Sequence, residues 1–412
     1  VCTFPRLPLT WERLAPSKVA SVRVVDSPLV ARMREHATSV FAEMSDLARR
    51  TESINLGQGF PDTDGPAEIA EVARACIADG RGNQYPPAAG VPELRHAISA
   101  HADRFYGLRV DPDTDVLVTT GASEAIQSTL LAFVERGDEV VMFEPWFDIY
   151  AAGISLADGV RVGVPLSGST LRPDIDALRD VISPRTKVLL INSPHNPTGI
   201  VFTRAELEAI AQLAIDNDLL VISDEAYEHL WFDDHHHIPI ATLPGMFERT
   251  VTIGSGGKSF SFTGWKVGWA YGARHLIQAV RVVRQHLTFV SGGPFQFAIA
   301  HGLGMPDQYF AEFRHDLSAK RDLLAGGLAE TGLRVLPCEG TYFLTTDVRS
   351  LGYDDGLAFC QDMAQRAGVV AIPHQALCDD PAIGAPYVRW AFCKQPEVLH
   401  EAIGRLQRAL SR

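Results

Sequence analysis

Residues 187–227 read KVLLINSPHNPTGIVFTRAELEAIAQLAIDNDLLVISDEAY, and this stretch decides the fold. Its first run, Lys187–Asn192, is short, apolar and rich in Val, Leu and Ile, the pattern of a buried strand. NSPHNPTG follows, dense in turn-forming residues such as Asn-Pro and Thr-Gly. Arg204–Asn217 then carries apolar residues at helical spacing, and Leu219–Ser223 is a second strand-like run. Strand, helix, strand in that order is a crossover unit, and crossover units build parallel sheets.

The same alternation continues outward. Ile69–Ala78 and Val91–Arg104 read as amphipathic helices, and Asp115–Thr119 as a strand ending at Gly121. Ala122–Val134 reads as a helix with Ser123 placed to cap it. Glu139–Phe143 and Thr250–Ile253 add strands. After Pro306 the texture changes: a long helix over Gln308–Thr331, a strand at Thr341–Thr345, a helix at Gly356–Ala367, a strand at Tyr387–Phe392 and a final helix at Glu397–Leu410. The expected fold is α/β, a mostly parallel central sheet with helices on both faces plus a smaller α+β domain. The expected division is an extension or arm at 1–30, a segment packing on the small domain at 31–66, a large domain at 67–305 and a small C-terminal domain at 306–412.

With a net charge of −13, the surface repels nucleic acid and anionic lipid, so neither is expected as a partner. Six scattered cysteines form no C-x-x-C pair, which predicts reduced thiols in the cytoplasm and no structural zinc. No run approaches the ~20 apolar residues of a membrane span, and the first thirty residues carry no apolar core of the signal-peptide kind. Asp233–His237 (DDHHH) invites a metal reading, but consecutive side chains on an extended segment point to opposite faces. A solvated loop is expected there, and no metal.

Ligands of an open, mostly parallel sheet gather beyond the carboxyl ends of its strands. There this chain has Asn192 and Asn196, then Asp224 and Tyr227, then Ser255 and Lys258, with Ser123 opening a helix after DVLVT. GSGGKS at 254–259 looks like a phosphate-binding P-loop, but that motif needs glycine six residues before its lysine, where Thr252 stands. Each residue also has a bland reading. Lys258 could be a loop lysine, Asp224 a helix cap, Arg389 a structural ion-pair partner, Phe147 and Tyr85 core or packing residues, and NSPHNPTG a turn. Cys393 reads as a small buried apolar residue.

The order of the motifs outweighs these readings. NLGQGFPD (55–62), NQYPPAAGVPELR (83–95), VTTGASEA (118–125), EPWFDIY (144–150), NSPHNPTG (192–199), SDEAYEHL (223–230), GSGGKSFSFTGWKVGW (254–269) and VRWAFCK (388–394) span nearly everything after residue 30. Together they resemble the class I/II pyridoxal-phosphate aminotransferases of fold type I. The nearest likeness is the branch with kynurenine, glutamine and methionine aminotransferases and actinobacterial N-succinyldiaminopimelate aminotransferases.

The resemblance implies pyridoxal 5′-phosphate as cofactor and a role for each residue. Lys258 would hold the cofactor as a Schiff base and later carry the proton between substrate and cofactor. Asp224 would keep the pyridine nitrogen protonated, Tyr227 and Asn196 would hydrogen-bond the ring hydroxyl, and Phe147 would stack on the ring. Ala122, Ser123, Ser255 and Lys266 would hold the phosphate, with lysine where the commonest pattern has arginine. Tyr85 would reach the phosphate of a neighbouring subunit, which implies a homodimer. Arg389 would clamp the substrate carboxylate, assisted by Asn196 and the Gly59 backbone, with Tyr342 at the pocket border.

Three activities fit this set. Ping-pong transamination between an L-amino acid and a 2-oxo acid leads; a cysteine-conjugate β-lyase would use the same residues. A cofactor sensor would need a DNA-binding module, for which the first thirty residues are too few. The run TFVSGGPFQ (288–296) has Ser291 and Gly292 where kynurenine-preferring relatives place an aromatic-histidine pair. That predicts a roomier pocket, suited to N-succinyl-LL-2,6-diaminopimelate, glutamine or methionine.

Overall fold

The computed structural model describes residues 28–411, so the expected arm lies almost wholly outside the described residues. Among the described residues, seven strands form the main sheet: β1 (Val116–Thr120), β2 (Glu139–Glu144), β3 (Val160–Pro165), β4 (Thr186–Asn192), β5 (Leu220–Asp224), β6 (Thr250–Ser255) and β7 (Val267–Tyr271). Their order is β1-β7-β6-β5-β4-β2-β3. The block from β3 to β6 is parallel, while β7 runs antiparallel to both β1 and β6.

The apolar runs behave as strands covered on both faces. Val188 and Leu190 of β4 join one core with Val140, Met142 and Ile222, whereas Leu189 and Ile191 join the opposite core with Val141, Phe143 and Val221. This is the two-residue period of a pleated strand. The crossover helix Arg204–Asp216 starts at a capping box, Thr203 bonding the Glu206 N–H and Glu206 reaching back to Thr203. It buries Leu207, Ile210, Ala211 and Ala214.

A third cluster belongs to a smaller sheet of β8 (Arg334–Val335), β9 (Phe343–Asp347), β10 (Ile372–Pro373) and β11 (Tyr387–Ala391), in the order β10-β11-β9-β8. Helices Asp307–Glu330, Gly356–Arg366 and Pro396–Leu410 pack on it through Leu324, Phe359 and Leu406. Helix Val40–Arg50 contributes Met44 and Ala48 to the same core, and Ile54–Asn55 pairs in parallel with Val369–Val370.

One local expectation fails. The helix after β1 spans Gly121–Phe133, so Ser123 is its third residue and not its cap. Thr120 holds the cap position without a side-chain bond, and the Glu124 carboxylate accepts the Thr120 N–H at 2.5 Å instead. A carboxylate in the first turn satisfies an orphan donor as a cap would, which leaves the Ser123 hydroxyl free to face outward from the helix start.

Candidate active site

The parallel strands β4, β5 and β6 end on one edge, with Asn192 and Asp224 in register. Beyond that edge lies a cavity of about 270 Å³, lined by Gly59, Ala122, Ser123, Phe147, Asn196, Asp224, Tyr227, Ser255, Lys258, Lys266 and Arg389. Every site residue expected from the sequence lines it except Tyr85 and Tyr342, and Tyr342 lies buried beside it against the Lys258 amine. Tyr85 is 82% exposed and meets Phe289 edge-on at 5.6 Å, in a separate surface groove with Ser291 and Gly292. The loop expected to shape the substrate pocket therefore does not face the cavity of its own chain.

Asp224 ends β5 and is buried. Tyr150 donates its hydroxyl to Asp224 Oδ2 at 2.6 Å, and the Ala226 N–H reaches Oδ1 at 3.1 Å. Burial pushes the carboxyl above the ordinary aspartate range, and these two donors pull it back. Asn192 fixes the surroundings: its amide donates to the Asp224 carbonyl at 2.8 Å and its oxygen accepts the Asn196 N–H at 2.7 Å. Tyr150 and Asn192 are thus the supports of the acid, and the sequence marked only Asn192.

Lys258 stands on the short turn Gly256–Ser259 after β6. That turn, four residues long, is no P-loop helix. The amine donates to Tyr342 Oη at 2.7 Å and to the Gly59 carbonyl at 3.3 Å, and lies 5.5 Å from the centre of the Tyr227 ring. Burial lowers its pKa to about 8, with Arg389 and Lys266 pushing the same way. An amine poised there can be both nucleophile and proton carrier near neutrality.

Arg389 sits in mid-strand on β11, buried. One guanidinium nitrogen donates to Asn196 Oδ1 at 2.9 Å and another to the Gly57 carbonyl at 2.6 Å. The group lies 4.0 Å from the centre of the Phe343 ring and 4.8 Å from that of Phe41. Its Nε is buried without a hydrogen-bond partner among the described residues, and burial lowers its pKa to about 10. The structural ion-pair reading therefore fails, because its partners are neutral oxygens and ring faces. A fork held this way suits an incoming carboxylate.

At the other end, Lys266 Nζ lies 3.4 Å from Ser123 Oγ, beside the first turn of helix Gly121–Phe133. A Cβ on Gly268 would sit 2.6 Å from the Ala122 nitrogen, so only glycine lets β7 come this close to the helix start. N–H groups at a helix start, a hydroxyl and a lysine make an anion site. A buried acid, an amine and an anion site around one cavity match the ring nitrogen, aldehyde and phosphate of pyridoxal 5′-phosphate, and Arg389 adds a carboxylate site.

The expected solvated DDHHH loop is only partly so. Asp233 pairs with Arg321 at 2.7 Å, His236 packs on Trp231, and His237 is buried against Glu225 at 2.9 Å. Another group, His101, Glu228 and His229, is wholly buried. Its two imidazole Nε2 atoms are 2.7 Å apart, a hydrogen-bond span; ligands on tetrahedral zinc stand about 3.3 Å apart at the usual bond lengths.

The family model for aminotransferase class I and II matches residues 51–406. The probable N-succinyldiaminopimelate aminotransferase DapC of Mycobacterium tuberculosis is 50% identical, covering 92% of this chain and 97% of that protein. The methionine aminotransferase of Escherichia coli is 37% identical, covering 93% and 100%. The solved structure of the M. tuberculosis N-succinyldiaminopimelate aminotransferase superposes with a TM-score of 0.90 at 49% identity, covering 92% of this chain and 100% of that one. A Thermus thermophilus aspartate aminotransferase variant gives 0.86 at 30% identity, covering 93% and 100%. The chain belongs to the class I and II aminotransferases, pyridoxal-phosphate-dependent enzymes of fold type I.

Proposed function

We propose that this aminotransferase moves an amino group between N-succinyl-LL-2,6-diaminopimelate and 2-oxoglutarate, as a cytoplasmic homodimer serving lysine biosynthesis. The observation that carries the substrate is the 50% identity along 92% of the chain to a relative named for that reaction. Ser291 and Gly292 share a surface groove with Tyr85. In the proposed dimer this groove faces the partner's cavity, where two small residues leave space for a long side chain. The proposed division of labour puts the cofactor on 67–305 and the closing wall on 306–412, with 31–66 packed against the latter.

Bound pyridoxal phosphate supplies an electron sink for the bonds at the substrate α-carbon. The protein's own groups do the rest. Lys258 would hold the cofactor through its amine, and the same amine would take and return the α-proton. Asp224, held by Tyr150 and the Ala226 N–H, would pair with the ring nitrogen and keep it protonated. Tyr227 and Asn196 would hydrogen-bond the ring hydroxyl, and Phe147 would stack on the ring. Ala122, Ser123, Ser255 and Lys266 hold the phosphate, joined by the partner subunit's Tyr85. Arg389 would fix the carboxylate, and Asn196, already bonded to it at 2.9 Å, holds the orientation of the fork; the Gly59 backbone borders the same pocket.

Two measurements test this. Borohydride reduction of the cofactor-loaded protein, followed by peptide mapping, labels Lys258. A panel of amino donors with 2-oxoglutarate gives the succinylated diaminopimelate a kcat/KM at least about tenfold above glutamine, methionine and kynurenine, a margin of about 1.4 kcal/mol. If kynurenine or methionine leads, the substrate assignment is wrong; if another lysine carries the label, the site assignment is wrong.

A further inference from the structure

We infer that Tyr342, together with the Gly59 carbonyl, is the dock that holds the Lys258 amine whenever that amine is not bonded to the cofactor, and so is a positioning residue for transamination. The inference rests on Lys258 being the cofactor-bearing lysine.

Three contacts fix the direction of every proton. Tyr342 Oη lies 2.6 Å from the Gly59 carbonyl oxygen and 2.7 Å from Lys258 Nζ, and Lys258 Nζ lies 3.3 Å from the same carbonyl. A carbonyl has no proton to give, so the single phenol proton points to Gly59, and Tyr342 can only accept from the lysine. Burial holds the phenol protonated, well above the usual tyrosine range. A neutral amine has two N–H bonds and one lone pair. Here both N–H bonds are committed, one to Tyr342 and one to Gly59, and the lone pair is left for the cavity that Lys258 lines.

The dock is built rather than incidental. Tyr342 is 1% exposed and its ring meets Tyr227 edge-on at 5.3 Å, which fixes the hydroxyl. A Cβ on Gly59 would lie 2.5 Å from Phe343 Cζ, so the carbonyl reaches this position only because residue 59 has no side chain. When the substrate amine displaces Lys258, the freed amine needs a place that prevents recapture yet leaves its lone pair ready for a proton. Two hydrogen bonds to fixed acceptors supply both.

The test uses Tyr342→Phe, which keeps the ring and removes the hydroxyl. In cofactor-free protein, the initial rate of Lys258 acetylation, read by peptide mass, reaches half its alkaline plateau near pH 8 for the wild type. In the variant the ammonium loses an acceptor, so the midpoint falls by about one unit. In the loaded enzyme, the amino-donor half-reaction slows about ten- to hundredfold from a misplaced amine, with the donor's apparent dissociation constant within about twofold. Should the variant fail to fold, 3-fluorotyrosine at 342, a weaker acceptor of the same shape, moves both readouts the same way by less. An unchanged midpoint and an unchanged rate overturn the dock. Borohydride labelling of the wild type keeps the two failures apart: label on another lysine condemns the site assignment, whereas label on Lys258 with a silent Tyr342→Phe condemns this inference alone.

Discussion

Tyr150→Phe tests the reading of the buried acid most directly. Its hydroxyl gives Asp224 a hydrogen bond of 2.6 Å, in the short range of charge-assisted O–H···O⁻ contacts. Removing it leaves one oxygen of a buried carboxylate bare, which costs about 1.5–3 kcal/mol while the group is charged and about 1 kcal/mol when it is neutral. With about 2.1 cal/mol/K of unfolding entropy per residue over 412 residues, the charged-state loss lowers the melting temperature of cofactor-free protein by about 2–4 °C. The sign with pH follows from burial, which raises the folded-state pKa of Asp224. Between the unfolded and folded pKa values the native protein holds a proton that the unfolded chain has released. Stability from this group is therefore lost as pH rises through the folded value, and losing Tyr150 raises that value further. The gap between variant and wild type must widen toward neutral and alkaline pH and narrow in acid. Differential scanning fluorimetry across that range is the assay. A gap independent of pH would mean that Tyr150 packs but does not serve the acid.

Arg389→Lys keeps the charge but not the planar fork, so kcat/KM for the donor falls about hundredfold while the cofactor absorbance is unchanged; a loss below about threefold counts against the carboxylate role. Gly268→Ala puts a Cβ 2.5 Å from the Gly121 carbonyl carbon, and neither backbone can yield freely. Its dissociation constant for pyridoxal phosphate, read by fluorescence titration, rises about tenfold or more through displacement of the helix start; unaltered affinity would remove that helix from the phosphate site. Lys266→Arg restores a fork at the same position and tightens cofactor binding a few-fold, read by the same titration, with weaker binding as the contrary result.

Much of this was legible in the chain because strand ends announce themselves. Continuous apolar runs closing on Asn192, Asp224 and Ser255 follow from a sheet covered on both faces, and polar residues at its carboxyl edge have few other reasons to recur. What escaped is equally physical. β7 escaped because Gly268 and Trp269 interrupt any alternation, and the glycine is there for the helix start it touches. Tyr150 looks like one more aromatic on an apolar helix, Gly57 acts through its backbone, and Phe41 comes from a helix packed mainly on the smaller sheet. Tyr342 meets Lys258 across 84 residues, a pairing that only the closed fold defines. Ser123 was misplaced by the local rule for caps because Glu124 performs that task.

The charge of the cavity ties these pieces together. The protein carries −13 overall, yet among the described residues Lys258, Lys266 and Arg389 line the cavity against the one carboxylate of Asp224. Burial depresses both Lys258 and Arg389, so each is a cation held at some cost in a poorly solvated place. A positive cavity in a protein of net negative charge favours small anions recognised locally over extended polyanions. In the proposed reading a phosphate ester at Lys266 and a carboxylate at Arg389 would neutralise two of the three cations, and Asp224 would pair with the ring nitrogen. The third cation, Lys258, is the one with no anion assigned to it. It is also the one whose chemistry needs the neutral form, and its neighbours Tyr342 and Gly59 accept its protons without supplying a charge that would fix it as ammonium. The same electrostatic imbalance that selects an anionic cofactor and an anionic substrate thus leaves the lysine free to change its proton.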